Sequence, residues 1–194
     1  MNPSLLDRAK KRMNALGAAL YAAVLAIVVL AAGGVAGLLV HLPWLFPSLG
    51  PTVMLFFESP EQKASRPVNT LVGHGVGLAA GALCLYALGL QDQPPAPVGG
   101  LTPLYVVSGA LSVGITTLVL TWLGLPHPPA GATTLIVSLG ILSSPVQLAS
   151  MAGAVVLVTA LGWGLNVLLG TWPAGGTGSQ PAQPAGAPAQ TRQE

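Results

Sequence analysis

Four long apolar stretches divide the chain: Ala15–Val40, Val68–Leu90, Pro103–Leu125 and Gln147–Gly170. Each exceeds the roughly 20 residues that a helix needs to cross a 30 Å hydrocarbon core. The pattern therefore predicts four membrane-spanning helices. Two further apolar stretches, Pro47–Phe57 and Pro129–Leu142, are short and rich in proline. A helix of about 11 to 14 residues covers only about 16–21 Å, too little for a straight crossing. Each reads as a re-entrant arm or as part of a broken span. From Trp172 onward Pro, Gly, Ala and Gln dominate, without apolar periodicity. That composition predicts a disordered cytoplasmic tail over 171–194.

Composition agrees with this pattern and removes the alternatives. Charged residues are 6% of the 194 and hydrophobic residues 52%, with a mean hydropathy of +0.71. A soluble domain carries about 25% charged residues, and a disordered chain has far less apolar content. No Asp, Glu, Lys or Arg occurs at 13–57, 67–91 or 93–191. Such runs suit lipid, and the class is an all-α polytopic membrane protein: four long transmembrane helices plus two short proline-broken ones. The lipid bilayer is its first partner.

Charge placement orients the chain. Four of the seven basic residues crowd into the N-terminal segment 1–12, at Arg8, Lys10, Lys11 and Arg12. With a net charge of +2, this is a topology signal and not a nucleic-acid signal. It puts both termini in the cytoplasm of a multi-pass inner (plasma) membrane protein. If both short stretches cross, Lys63 and Arg66 also fall inside and the exterior loops hold no basic residue. The positive-inside rule therefore favours six crossings over four. A shift of 81 positions superimposes Pro47 on Pro128, Gly50 on Gly131, Thr52 on Thr133, Gly81 on Gly162 and Gly89 on Gly170. The order long span, proline break, short helix, long span occurs twice. Two pseudo-repeats of three segments, about 13–90 and 96–170, are the corresponding expectation. Three crossings per unit would make them inverted.

Candidate chemistry is sparse. Cys84 is the only cysteine, and three dispersed His without companion carboxylates make no metal site. No Ser-His-acid set is evident, so neither an enzyme nor a cofactor is expected. Gly73, Gly77 and Gly81 fall at i, i+4 and i+8, and Gly33 and Gly37 repeat that spacing. Rows of small residues let helices approach closely, within the chain or in a homo-oligomer. The stretch Leu125-Pro-His-Pro-Pro-Ala-Gly-Ala-Thr-Thr134 suggests a helix starting at Pro129. The amides of Ala130, Gly131 and Ala132 would be free there, with the Thr133 and Thr134 hydroxyls one turn on, as an anion site. Ser48, Gly50 and Thr52 have the same character. His74, about 12 Å from Arg66 along its helix, is an ionisable group at membrane depth and a functional candidate. His41 reads as interfacial. Asn69 and Asn166 are further polar residues in apolar context.

Three motifs in order carry a resemblance. Pro47-Ser-Leu-Gly-Pro51, Ser59-Pro-Glu-Gln-Lys-Ala-Ser-Arg-Pro-Val-Asn-Thr-Leu-Val-Gly-His74 and His127-Pro-Pro-Ala-Gly-Ala-Thr-Thr134 resemble the HPP family of integral membrane proteins. The resemblance covers about residues 13–170. It implies a four-spanning protein and a transporter role, some cyanobacterial and plastid members being associated with nitrite. It carries Ser48, Gly50, Arg66, Asn69, Gly73, His74, His127, Pro128, Pro129, Gly131 and Thr133 as matching positions. The chain departs from the family pattern at Lys63-Ala-Ser-Arg66 and at Pro51. The functional expectation is transport of a small solute, foremost a small anion such as nitrite. The competing expectation is a non-transporting membrane scaffold or sensor acting through partner proteins.

Overall fold

The computed structural model describes residues 4–171. Those residues form seven α-helices: α1 (Leu5–Leu39), α2 (Leu49–Glu58), α3 (Pro67–Ala87), α4 (Ala96–Gly99), α5 (Pro103–Trp122), α6 (Pro129–Ser138) and α7 (Pro145–Leu168). A 3₁₀ turn at Lys63–Ser65 precedes α3, and the described residues contain no strand. α1, α3, α5 and α7 are the four helices long and apolar enough to span a membrane. The expected tail lies outside the described residues.

The starts of these helices follow from local sequence. α3, α5, α6 and α7 each begin on proline, whose fixed φ suits a first turn and whose missing N–H costs nothing there. Thr102 and Ser144 cap α5 and α7 through their side chains. α1 starts ten residues before the apolar run, because Ser4 and Asp7 form a capping box ahead of the basic cluster. Asn14, at φ 53°, breaks this early turn from the apolar helix that follows.

Contacts between helices fix the direction of each. The start of α1 meets the end of α7, where the Leu5 amide donates to the Leu169 carbonyl at 3.0 Å. Along α7, Gly153 faces the Trp44 ring, Gly162 faces Phe56, and the Asn166 amide donates to the Phe56 carbonyl at 2.7 Å. The 44–58 stretch therefore runs beside α7 towards the face where α1 begins. Glu58 and Lys10 line one cavity there. Along α3, Gly73 faces His127, Gly77 faces Ala130 and Thr134, and Gly81 faces Thr134 and Val137. Near the far end Tyr86 donates to the Ser143 carbonyl. α6 thus runs beside α3 away from that face. Among the described residues the chain thus runs between the two faces six times, two of these runs being the short α2 and α6 with their flanking turns.

The packing has a regular form. α1 and α5 lie on α7 and α3 respectively, α2 on α7, α6 on α3, and α3 on α7. The short helices α2 and α6 are placed alike, each against the last helix of the other half of the chain. α3 and α7 also end alike, with Gly89 and Gly170 at φ 66° and 79°, the left-handed conformation that stops a helix without steric cost.

The outer surface is lipid-like, with Trp122 83%, Leu168 81% and Leu39 77% exposed. The α3 face towards α6 is the opposite extreme. A Cβ on Gly73, Gly77 or Gly81 would stand 2.8 Å from an α6-side atom, closer than side-chain carbons tolerate. Gly37 is equally bare: a Cβ there would meet the Leu42 carbonyl at 2.6 Å. Gly33 is looser, its nearest neighbour being Val158 at 3.7 Å.

Two outcomes check this architecture. Gly77→Leu should lower thermal stability in detergent by at least the 1–3 kcal/mol typical of overpacking, whereas Gly75→Leu, on open surface, should not. Single cysteines in a Cys84→Ser background should label from the same side at Lys11 and Gln62 and from the opposite side at Gln93. Shared sidedness of Lys11 and Gln93 is what a four-passage chain would give.

Candidate functional site

His74 sits one-third of the way along α3 and is 1% exposed. Three elements converge on its ring. Thr52 Oγ1 of α2 lies 2.9 Å from Nε2, Thr133 Oγ1 of α6 lies 2.6 Å from Nδ1, and His127 Nε2 lies 3.2 Å from Nε2. The two imidazoles meet edge to face, with centroids 4.9 Å apart. Gly73 makes this possible, since a Cβ there would stand only 2.8 Å from His127 Cβ.

The acceptors assign the protons. The Ala64 carbonyl, 2.8 Å from His127 Nδ1, can only accept, so Nδ1 carries the hydrogen and neutral His127 presents a lone pair at Nε2. Thr52 spends its hydroxyl proton on the Ser48 carbonyl at 3.0 Å, so it accepts from His74 Nε2–H. That N–H is forked between Thr52 and His127. His74 Nδ1 then accepts from the Thr133 hydroxyl. Every polar atom of both neutral rings is paired, as burial demands.

The remaining expected residues group around this pair. Asn69 Nδ2 donates to the Pro126 carbonyl at 2.9 Å and holds the turn before His127. Thr134 donates to the Ala130 carbonyl and lies 2.9 Å from Thr116 Oγ1. Gly50 and Gly131 have open space where a side chain would be. Ser48 is fully buried and its hydroxyl has no partner. Arg66 caps α3 with its backbone, and its Nε is buried without a partner. It makes no hydrogen bond to either imidazole. Pro128 and Pro129 open α6. His41 is exposed at the far end of α1, at φ 55°.

One expectation is corrected. The amides of Ala130 and Gly131 are not free: they donate to the carbonyls of His127 and Pro128 at 3.0 Å. Pro128 is already helical, at φ −51° and ψ −36°, so the turn closes one residue early and consumes these donors. Likewise the Leu49 amide donates to the Phe46 carbonyl at 2.9 Å. Side chains, more than helix-end amides, give this site its polarity.

Sequence reasoning did not find Lys63, Thr116, Thr117 or Thr121. With His127 and Gly131 they line a cavity of about 590 Å³ between α5 and the start of α6. The Lys63 ammonium reaches the Gly124 turn, 3.7 Å from where a Cβ would stand. The buried Tyr21–Asn166 bond, 3.0 Å, was also missed. A lone Lys in a polar loop and threonines in an apolar helix carry no signal of their convergence.

Thr133→Val should cost about 1–3 kcal/mol of stability, because the isostere leaves buried His74 Nδ1 without its donor. Thermal melts in detergent measure this, and a wild-type midpoint would contradict the assigned bond.

The family model described as HPP, transmembrane region, matches residues 8–172 of this chain. No curated protein and no solved structure matches it.

Proposed function

The chain belongs to the HPP transmembrane-region family, and on that footing we propose that it is a transporter of a small anion, nitrite foremost, in the inner (plasma) membrane. Its role is binding and passage, with no enzymatic step. The Arg8–Arg12 face is the cytoplasmic one. The observation that carries the reading is the Ser48 hydroxyl. It is fully buried and unpartnered, one helical turn before the Thr52 that holds His74. A buried hydroxyl left open costs stability, and a ligand that accepts its hydrogen bond accounts for it.

The architecture supports movement of a solute past this point. Thr52 and Thr133, equivalent under the 81-residue shift, grip opposite nitrogens of one ring. Read as two triplets, α1–α2–α3 and α5–α6–α7, the chain would have each short helix lying on the first helix of its own triplet and on the last helix of the other. An inverted pair of triplets with broken helices at its centre is the arrangement in which one half rocks against the other. His74 stands where those halves meet.

Purified protein in proteoliposomes should accumulate at least one of nitrite, nitrate, formate and chloride, saturably and above protein-free vesicles. Ser48→Ala should raise the half-saturation about tenfold, the worth of one hydrogen bond to a charged group, while leaving thermal stability unchanged or higher. Folded protein that moves none of the four anions would defeat the proposal.

A further inference from the structure

The cavity between α5 and the start of α6 holds a charge arrangement that the transport reading does not yet use. Lys63 and His127 both line it, together with Thr116, Thr117, Thr121 and Gly131. It holds no carboxylate: Glu58 lies beyond Pro128 and Pro129, in a separate hollow. α7 carries no ionisable side chain, α2 and α6 offer His74 the Thr52 and Thr133 hydroxyls, and Arg66, at the start of α3, bonds neither imidazole. Lys63 is the fixed charge that lines this cavity with His127.

Apart from the open Ser48 hydroxyl, the buried cluster has little to offer an anion while both rings are neutral. The hydroxyl protons of Thr52, Thr116 and Thr134 go to carbonyls of their own helices. The Thr133 proton goes to His74, and the His127 Nδ1 proton goes to Ala64. His127 Nε2 presents a lone pair, which repels an anion. Its partner is dispensable, however. The His74 Nε2–H is forked, and it is closer to Thr52, at 2.9 Å, than to His127, at 3.2 Å. If His127 leaves, the His74 N–H keeps a good acceptor and no buried donor is stranded.

We propose that His127 binds one proton as an anion enters the cavity it shares with Lys63, so that anion and proton are taken up together. The inference rests on the anion-transport reading. One N–H bond forms, at His127 Nε2, and one O–H bond breaks in the hydronium ion that gives up the proton, leaving water. The ring then has donors on both nitrogens. The new Nε2–H would face the His74 N–H across 3.2 Å, so the whole ring swings from His74 towards the anion, loosening its Nδ1–H bond to the Ala64 carbonyl. Two cations facing one empty cavity repel, and an anion between Lys63 and His127 removes that repulsion. Each ligand therefore favours the other, by the same factor in both directions. His74 is a positioning residue in this scheme and stays neutral.

The test measures binding, so it is independent of flux. Purified protein in lipid nanodiscs is titrated with sodium nitrate, nitrite, formate and chloride by calorimetry, in two buffers of different ionisation enthalpy. The buffer difference gives protons taken up per anion. The expected result is about one proton, with affinity falling towards about tenfold per pH unit as pH rises above the His127 titration. His127→Gln should bind about ten- to a hundredfold more weakly, with no proton uptake. Lys63→Gln should weaken binding and keep the proton. In protein labelled with ¹⁵N-histidine, the anion should move one imidazole to the doubly protonated signature, which needs no substitution and decides the matter if His127→Gln fails to fold. Anion binding without proton uptake, or an unchanged count in folded His127→Gln, overturns this inference alone. Failure of all four anions to bind overturns the transport reading with it.

Discussion

Everything near His74 depends on how closely the backbones of α3 and α6 approach. Without a β-carbon at residues 73, 77 and 81, the α6 segment lies directly on the α3 backbone. In lipid there is no hydrophobic drive to hold two helices together, so contact of this kind supplies the cohesion. The approach brings Thr133 within 2.6 Å of the His74 ring and seats His127 over Gly73. Wider spacing would strand two imidazoles in an apolar interior with nitrogens unpaired.

The same constraint explains why two helices of ten residues each survive at membrane depth. A short helix exposes end carbonyls and amides that lipid cannot satisfy. Here the broken ends are buried in protein and paired locally: Phe46, His127 and Pro128 carbonyls take up amides, Asn69 takes the Pro126 carbonyl, and Asn166 takes that of Phe56. Prolines set the breaks, and side-chain amides from the long helices close them.

Much of this was legible residue by residue, and less of it pair by pair. The four long helices follow from apolar run length, and their proline starts from backbone chemistry. The spacing of Gly73, Gly77 and Gly81 puts them on one helix face before any partner is known. His74 and His127 stand out singly, as ionisable groups in apolar or proline-bound context. Their meeting spans 53 residues and rests on how α6 lies along α3, which no local pattern encodes. The free amides expected at Ala130 and Gly131 failed for a subtler reason. The helix was expected to start at Pro129, yet proline's φ serves a helical turn equally well, and Pro128 is already helical with ψ −36°. Lys63 was hidden because a cation in a loop looks like any solvated charge until a cavity forms beside it.

The hydrogen bond between the Leu5 amide and the Leu169 carbonyl has a consequence for chain order. It brings the first and last helices together at one face, with Ser4 packed against Gly170. A short linker there, and a cut in the exposed stretch around Gly99 and Gly100, would yield a circular permutant in which the second triplet is synthesised before the first. The joint at Leu5 and Leu169 thus lets the chain be opened elsewhere without separating helices that pack together.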